Sequence, residues 1–331
     1  MGSSSRSRSR LRPQPRSAAV RRPSSPRSSF PFRVVAIFGP TASGKSDVAA
    51  ALAERIPADV ISADAMQAYR GLPILTNQDE RHTQLVGIWP LDHEGSVAEY
   101  QRLAHEAIDG VLAQERLAVV VGGTGLYLRA AVSNLELPPP PDAGVRERLE
   151  AVYERVGGER AHALLAERDP PAAAHVHPND RRRVVRALEL VEAGASLRPE
   201  ADRLWSSETR HPTLFVGLDV PREELARRID TRTQAMFERG VEEEARRALE
   251  SPISATASMI VGLREIAELP REQAAEAIAL RTRRYAAYQR KWMRRIPGLV
   301  TVRGGRPAGE IADEILQVAR ARQHVPAGHG G

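Results

Sequence analysis

Short runs of consecutive apolar residues alternate along the chain with longer stretches in which apolar positions recur every three or four residues. That alternation predicts a parallel α/β core. The runs are Arg33 to Phe38, Asp59 to Ser62, Leu117 to Val121, Thr213 to Asp219 and Leu299 to Val302. Strands that are apolar at successive positions are buried on both faces, as in parallel sheets. Between them the helical period predicts helices over 47–56, ended by Pro57, and over 96–116, with Ser96 as cap and Glu99 at capping-box spacing. Others are predicted from Leu126-Tyr127 onward, over 221–249 with a break at Gly240, through 258–294 and over 308–322. From 143 to 200 helical patterns follow one another with no strand candidate. The run Leu137-Pro-Pro-Pro-Pro-Asp142 marks where the core gives way, because four consecutive prolines continue neither a helix nor a central strand. The expected organisation is therefore a core of 33–137 and 201–323 interrupted by a helical insertion at 138–200, with tails at 1–32 and 324–331. No internal repeat is present.

Composition changes this picture in two places. The chain has 331 residues and a formal net charge of +6, which suggests a polyanionic partner. Eight of the arginines, however, fall in residues 1–32, a segment with no acid, so the rest of the chain is slightly acidic overall. That Ser-, Arg- and Pro-rich segment has too few apolar residues to offset its ordering entropy and is expected to be disordered. It has the Arg- and Ser-rich, acid-free character of a transit peptide, yet lacks an amphipathic repeat and is interrupted by prolines. As a tail it could add nonspecific affinity for RNA. The absence of cysteine excludes disulfides, thiol nucleophiles and thiolate metal sites and fits a reducing compartment, so a cytoplasmic protein is expected. No apolar run approaches the roughly 18 residues of a membrane span. A monomer is the expected state.

The densest chemical signal follows the first strand. Gly39, Pro40, Thr41, Ala42, Ser43, Gly44, Lys45 and Ser46 form a complete GxxxxGKS phosphate-binding loop, placed between a strand and a helix as that motif requires. Backbone N–H groups of such a loop converge on a polyphosphate, the lysine reaches its outer oxygens, and the serine hydroxyl serves Mg²⁺. Of the 48 basic residues only Lys45 and Lys291 are lysines. A compact ammonium at the one loop position that needs it, in a chain that otherwise uses arginine, supports the match.

Other residues leave alternatives open. Asp64, after the second strand, is the best acid facing the loop, since the third run ends in Gly-Gly-Thr with no carboxylate. It can be a metal-sphere ligand, a general base or a helix cap. Thr124 lies in a glycine-rich turn where backbone can approach a ligand, or merely caps a helix. Arg228 and Arg232, spaced i, i+4, can clamp a pyrophosphate or form a solvated face with Asp230 and Glu238. Two segments mix cations in the way RNA favours: His177 to Arg186, and Arg281 to Arg295 with Tyr285, Tyr288 and Trp292 interleaved. The histidines 82, 93, 175 and 177 lack the spacing of a zinc site.

Taken in order, Gly39–Ser46, Ile61 to Gly71 (Ile-Ser-Ala-Asp-Ala-Met-Gln-Ala-Tyr-Arg-Gly), Val121 to Tyr127, His177 to Arg183 with Arg186 to Glu189, and Arg284 to Arg294 resemble the tRNA dimethylallyltransferase (isopentenyltransferase) family. The resemblance spans about residues 33–303 and implies a P-loop NTPase-like parallel sheet with a helical insertion. It implies transfer of a dimethylallyl group from dimethylallyl diphosphate to the exocyclic amine of the adenine 3′ of the anticodon, with Mg²⁺. By position it makes Asp64 the base or hydrogen-bond acceptor at the adenine amine, with Thr124 beside it; Ser46 the metal contact; residues 41–46 the diphosphate cradle; and Arg228 with Arg232 the leaving-group clamp. The tRNA anticodon stem-loop would meet Asp64, Ala65, Met66, Gln67, Arg146, Arg182, Arg183, Arg186, Arg264, Gln289 and Arg294. The chain departs from the family pattern at Leu72–Asp79, His82 to Leu85, Gly262-Leu263 and Ala287-Tyr288. A small-metabolite or nucleotide kinase, using the same loop for ATP, is the alternative enzyme, and a noncatalytic RNA-binding protein the third class.

Overall fold

A computed structural model describes residues 31–78, 83–137, 144–197 and 203–322. The two tails, the four-proline boundary and His82 lie wholly or mainly outside the described residues. Six strands form a single parallel sheet among the described residues: β1 (Val34–Phe38), β2 (Ala58–Ser62), β3 (Thr83–Gln84), β4 (Leu117–Gly122), β5 (Thr213–Asp219) and β6 (Val300–Arg303). Their order is β3-β2-β4-β1-β5-β6. The central strand β1 pairs Ile37 with Val121 of β4 and with Val216 of β5. Its five residues are all buried, alternately on the two faces. Val34, Ala36 and Phe38 join the core beneath α2 (Val97–Ala113) and α3 (Gly125–Val132), and Val35 and Ile37 the core beneath α1 (Lys45–Arg55) and α12 (Ala308–Ala321). Burial on both faces is the physical reason these strands read as continuous apolar runs.

The strand β3 escapes the hydrophobic pattern. It is two residues long, and Thr83 and Gln84 extend the sheet only by pairing with Val60 and Ile61. The predicted capping box at Ser96 is half formed. Ser96 Oγ accepts the Glu99 N–H at 3.1 Å, but the Glu99 carboxylate turns to Trp89 Nε1 and His93 Nε2 instead of the cap.

Residues 145–192 hold α4 (Val145–Val156), α5 (Gly158–Arg168), α6 (Pro170–Ala173) and α7 (Arg181–Glu192). These pack on one another around Leu149, Leu165, Val184, Val185 and Leu188, a cluster separate from the two sheet cores. The Glu189 side chain has no solvent exposure and is clasped by Arg146 Nε at 2.8 Å and Arg186 Nη1 at 2.9 Å. Burial would push this carboxyl up, but the two guanidiniums outweigh it and hold it below its usual 4.5. A depressed carboxyl pKa contributes stability that is present above about pH 4.5 and lost as the pH falls through the lower folded value. Glu189→Ala leaves two cations facing an apolar core and is expected to cost roughly 3 kcal/mol, the low end for a broken buried pair because Arg146 is partly exposed. Urea titrations at pH 7 and pH 4 check this; the difference between wild type and variant should shrink at the lower pH.

After β5 come α8 (Arg222–Glu238) and α9 (Val241–Ala248), separated by Gly240 at φ 86°, where the predicted break falls. The stretch from 258 is less continuous than the helical period suggests. A 3₁₀ turn at Ala257–Met259 and Gly262 at φ 108° precede α10 (Leu263–Glu268), and Pro270 starts α11 (Arg271–Met293). This long helix packs against α8, and its Gln289 bonds Thr41 and Gly123, just beyond the ends of β1 and β4, which sets the site.

Candidate active site

The phosphate loop runs from the end of β1 into α1. Ser43 N–H closes it on Pro40 O at 3.2 Å, and Ala42 and Gly44 take positive φ of 63° and 83°. Glycine adopts that conformation freely, whereas alanine gives up roughly 1–2 kcal/mol. Packing holds Ala42 there, since its side chain meets Ile229 of α8 and Ala279 and Ala286 of α11. The first intrahelical bond runs from Val48 N–H to Gly44 O, so the amides of Lys45 and Ser46 precede the helical ladder and no side chain caps them. Unpaired donors at the positive end of a helix form an anion site. Ser43 Oγ is buried within the same loop and has no partner.

Charge is concentrated around this loop. Arg232 of α8 donates from Nη1 to Thr41 Oγ1 at 3.2 Å. Arg228, one turn earlier, donates to Glu224 at 2.7 Å while a guanidinium nitrogen lies beside Gly44. Arg227 points to solvent, Arg228 is partly exposed and shares Glu224 with it, and of the three only Arg232 bonds the loop directly. Burial pushes the Lys45 ammonium down from its usual value; Asp64 opposes that shift and Arg232 adds to it. Burial likewise lowers Arg232, again opposed by Asp64. One acid therefore faces two desolvated cations, a surplus that a bound polyanion would neutralise.

Asp64 sits just beyond β2, whose end is tied to β4 by Ala63 N–H to Val121 O at 2.7 Å. Its Oδ1 accepts Met66 N–H at 3.1 Å, a local turn that fixes the carboxylate, while Oδ2 makes no hydrogen bond among the described residues. Lys45, Ser46, Asp64 and Gln67 line one end of a cleft of about 320 Å³ between α1 and the β2 edge.

The Gly122-Gly-Thr-Gly125 turn has a different cause from the expected one. A Cβ on Gly122 would lie 2.2 Å from Ala63 O, one on Gly123 2.2 Å from Gln289 Nε2, and one on Gly125 2.0 Å from the Trp292 ring. Protein atoms, not an open ligand path, fill the space these glycines leave. Gly122→Ala must push β2 from β4 just before Asp64, because the obstacle is backbone. The expected cost is about 1–3 kcal/mol with reduced activity, read from thermal melts and turnover.

Several residues expected at RNA are placed otherwise. Gln289 is buried; its Oε1 accepts Thr41 N–H at 2.8 Å and its Nε2 donates to Gly123 O at 2.8 Å, joining the phosphate loop to the glycine turn. Gln67 accepts from Ser62 Oγ and donates to Thr76 O and Asn77 O. Ala65 is buried, and Met66 is partly so. Arg146 and Arg186 are committed to Glu189, and Arg146 also approaches Glu94 of the core at 3.6 Å. Arg182, Arg183, Arg264 and Arg294 are exposed, Arg183 near Asp180 and Arg264 paired with Glu268. Two residues with no assigned role join the site: Tyr285, whose hydroxyl lies 3.1 Å from Thr124 Oγ1, and Glu244 of α9, which accepts Ile74 and Leu75 N–H at 2.7 and 2.8 Å and so anchors the turn that holds Gln67. Nothing in the spacing of Glu244 announces that contact across some 170 residues.

A parallel sheet with a GxxxxGKS loop between β1 and α1 defines a P-loop NTPase-like protein. The IPP transferase family model matches residues 67–296 and the isopentenyl transferase model residues 32–81. The tRNA dimethylallyltransferase of Streptomyces coelicolor is 42% identical over 287 residues, covering 82% of this chain and 91% of that protein. Among solved structures, the tRNA isopentenylpyrophosphate transferase of Bacillus halodurans aligns with TM-score 0.62 and 30% identity over 89% of this chain and all of that one. That of Staphylococcus epidermidis aligns with TM-score 0.62 and 26% identity over 87% of this chain and 99% of that one. The chain belongs to the IPP transferase family, and these relatives do not favour the kinase reading.

Proposed function

We propose that this protein transfers a dimethylallyl group from dimethylallyl diphosphate to the exocyclic amine of the adenine 3′ of a tRNA anticodon. The observation that carries this is an anion cradle in which two desolvated cations, Lys45 and Arg232, feel one carboxylate, Asp64, with Lys45 and Asp64 lining the same cleft. β4, the strand beside β1, ends in Gly-Gly-Thr rather than in the carboxylate expected of an ordinary phosphoryl-transfer site. The allylic C1–O bond breaks, its electron pair leaves with the pyrophosphate, and the amine lone pair forms the new C–N bond. Asp64 Oδ2 is free to accept the proton the amine loses. Lys45, Arg232, Arg228 and the loop amides stabilise the charge that grows on the leaving group.

Ser46 suits Mg²⁺, because that ion keeps waters and substrate oxygens and needs few protein ligands; it would neutralise diphosphate charge when bound. The adenine must leave its stack to reach Asp64. The arginines 182, 183, 264 and 294, all exposed, would meet phosphates of the stem-loop. No helix of the described residues is long and apolar enough to cross a membrane; the working form proposed is a cytoplasmic monomer.

Labelled dimethylallyl diphosphate supplied with matched anticodon stem-loops tests the reading. Label should enter the stem-loop with adenine 3′ of the anticodon and not the one with guanine there. Equal labelling of both would refute the assignment of the acceptor.

A further inference from the structure

Thr124 occupies the N-cap of α3, yet its side chain makes no capping bond. Among the α-helices of the described residues, the other hydroxyl or carboxylate caps behave differently: Ser96, Asp169 and Asp180 each accept a backbone N–H of their own helix. The Thr124 hydroxyl instead meets Tyr285 Oη at 3.1 Å, across 161 residues. Tyr285 is held in place from its own helix. One turn on, Gln289 bonds both the phosphate loop and Gly123, and Ala286 packs with Ala42 and Ile229. Tyr285 is 37% exposed as a residue, and its contact with Thr124 lies at the surface, open to a substrate. Burial of the phenol, with the charge of Asp64, pushes Tyr285 up to about 12 and keeps it protonated, and the bond from Ala63 N–H to Val121 O sets the turn that carries Thr124 beside the one that carries Asp64.

We propose that Tyr285 is a positioning residue for the transfer reaction: its hydroxyl draws the Thr124 hydroxyl off the helix cap and fixes it beside Asp64, where the acceptor amine must lie. The contact has a direct chemical use. With Tyr285 donating, Thr124 keeps its own proton for a substrate acceptor; with Thr124 donating, its oxygen still has a fixed direction. A residue free to rotate back to the cap would offer neither. The α11 helix thereby couples the two halves of the reaction, Gln289 holding the diphosphate loop and Tyr285 the acceptor side.

This inference rests on the proposed transfer activity, and a double-mutant cycle tests it. Tyr285→Phe, Thr124→Val and the pair are compared for kcat, for KM with dimethylallyl diphosphate and for thermal midpoint. Tyr285→Phe keeps the ring and should lower kcat about tenfold, as for one lost oriented hydrogen bond, with KM for the diphosphate and the midpoint unchanged. In the Thr124→Val background the same change should have no further effect, whereas in Thr124→Ser, which keeps a hydroxyl, it should still lower kcat. A Tyr285→Phe enzyme as fast as wild type, or losses that multiply in the pair, would overturn the role of Tyr285. A wild-type protein that modifies no tRNA would instead remove the activity on which it rests.

Discussion

Asp64→Asn is expected to lower the transfer rate at saturating substrates by about 10²- to 10⁴-fold, the usual loss when a positioned general base is removed. The variant keeps the size of the side chain and the Oδ1 acceptor for Met66 N–H, so the turn after β2 should survive. Diphosphate affinity should move the other way. Asp64 partly compensates Lys45 and Arg232, and neutralising it leaves a larger positive surplus around the loop. KM for dimethylallyl diphosphate should therefore stay level or fall while kcat collapses. Steady-state kinetics with each substrate varied separately gives both numbers, and a rise in KM alone would make Asp64 a binding residue.

Lys45→Ala should show the opposite division. Removing an ammonium that meets phosphate oxygens costs about 1.5–3 kcal/mol, or roughly 10- to 150-fold in diphosphate affinity. The rate should fall as well, because charge on the departing oxygens exceeds that in the ground state. Arg232 and the loop amides remain, so binding weakens without vanishing. The pH dependence has a defined sign. Burial lowers the Lys45 pKa in the free enzyme, so the ammonium is lost at a lower pH than that of an ordinary lysine. The Kd for the diphosphate should rise as the pH climbs through that lowered value, and the rise should be absent in Lys45→Ala. Isothermal titration with dimethylallyl diphosphate across the alkaline range reads it directly.

The features visible in the chain are those set by local chemistry. Apolar runs mark β1, β2, β4 and β5 because their two faces are covered, β6 shows through Val300 and Val302, which face one core, and GxxxxGKS marks the loop because its geometry needs those residues. β3 stays hidden, since two residues without an apolar pattern form a strand only by joining the edge of β2. The site splits along the same line. Lys45 and Arg232 stand out by motif and i, i+4 spacing with Arg228, and they meet at the loop as the spacing suggests. Gln289 reads as part of a basic, aromatic RNA-facing stretch, yet its neighbours in space are Thr41 and Gly123, 248 and 166 residues away. Glycines 122, 123 and 125 read as an open turn and are in fact filled by Ala63, Gln289 and Trp292. Such contacts follow from how α11 docks on the sheet, which no local pattern encodes. Tyr285, four residues before Gln289, carries a helical-spacing signal that gains meaning only once Gln289 is known to face inward.

The most direct test is nucleoside mass spectrometry of a tRNA with adenine 3′ of its anticodon, after incubation with the purified full-length chain, Mg²⁺ and dimethylallyl diphosphate. That adenosine should gain the mass of one dimethylallyl unit, with one pyrophosphate released per base modified and no product from Asp64→Asn on the same timescale. Unmodified adenosine in several such tRNAs, or hydrolysis of added ATP in place of transfer, would contradict it.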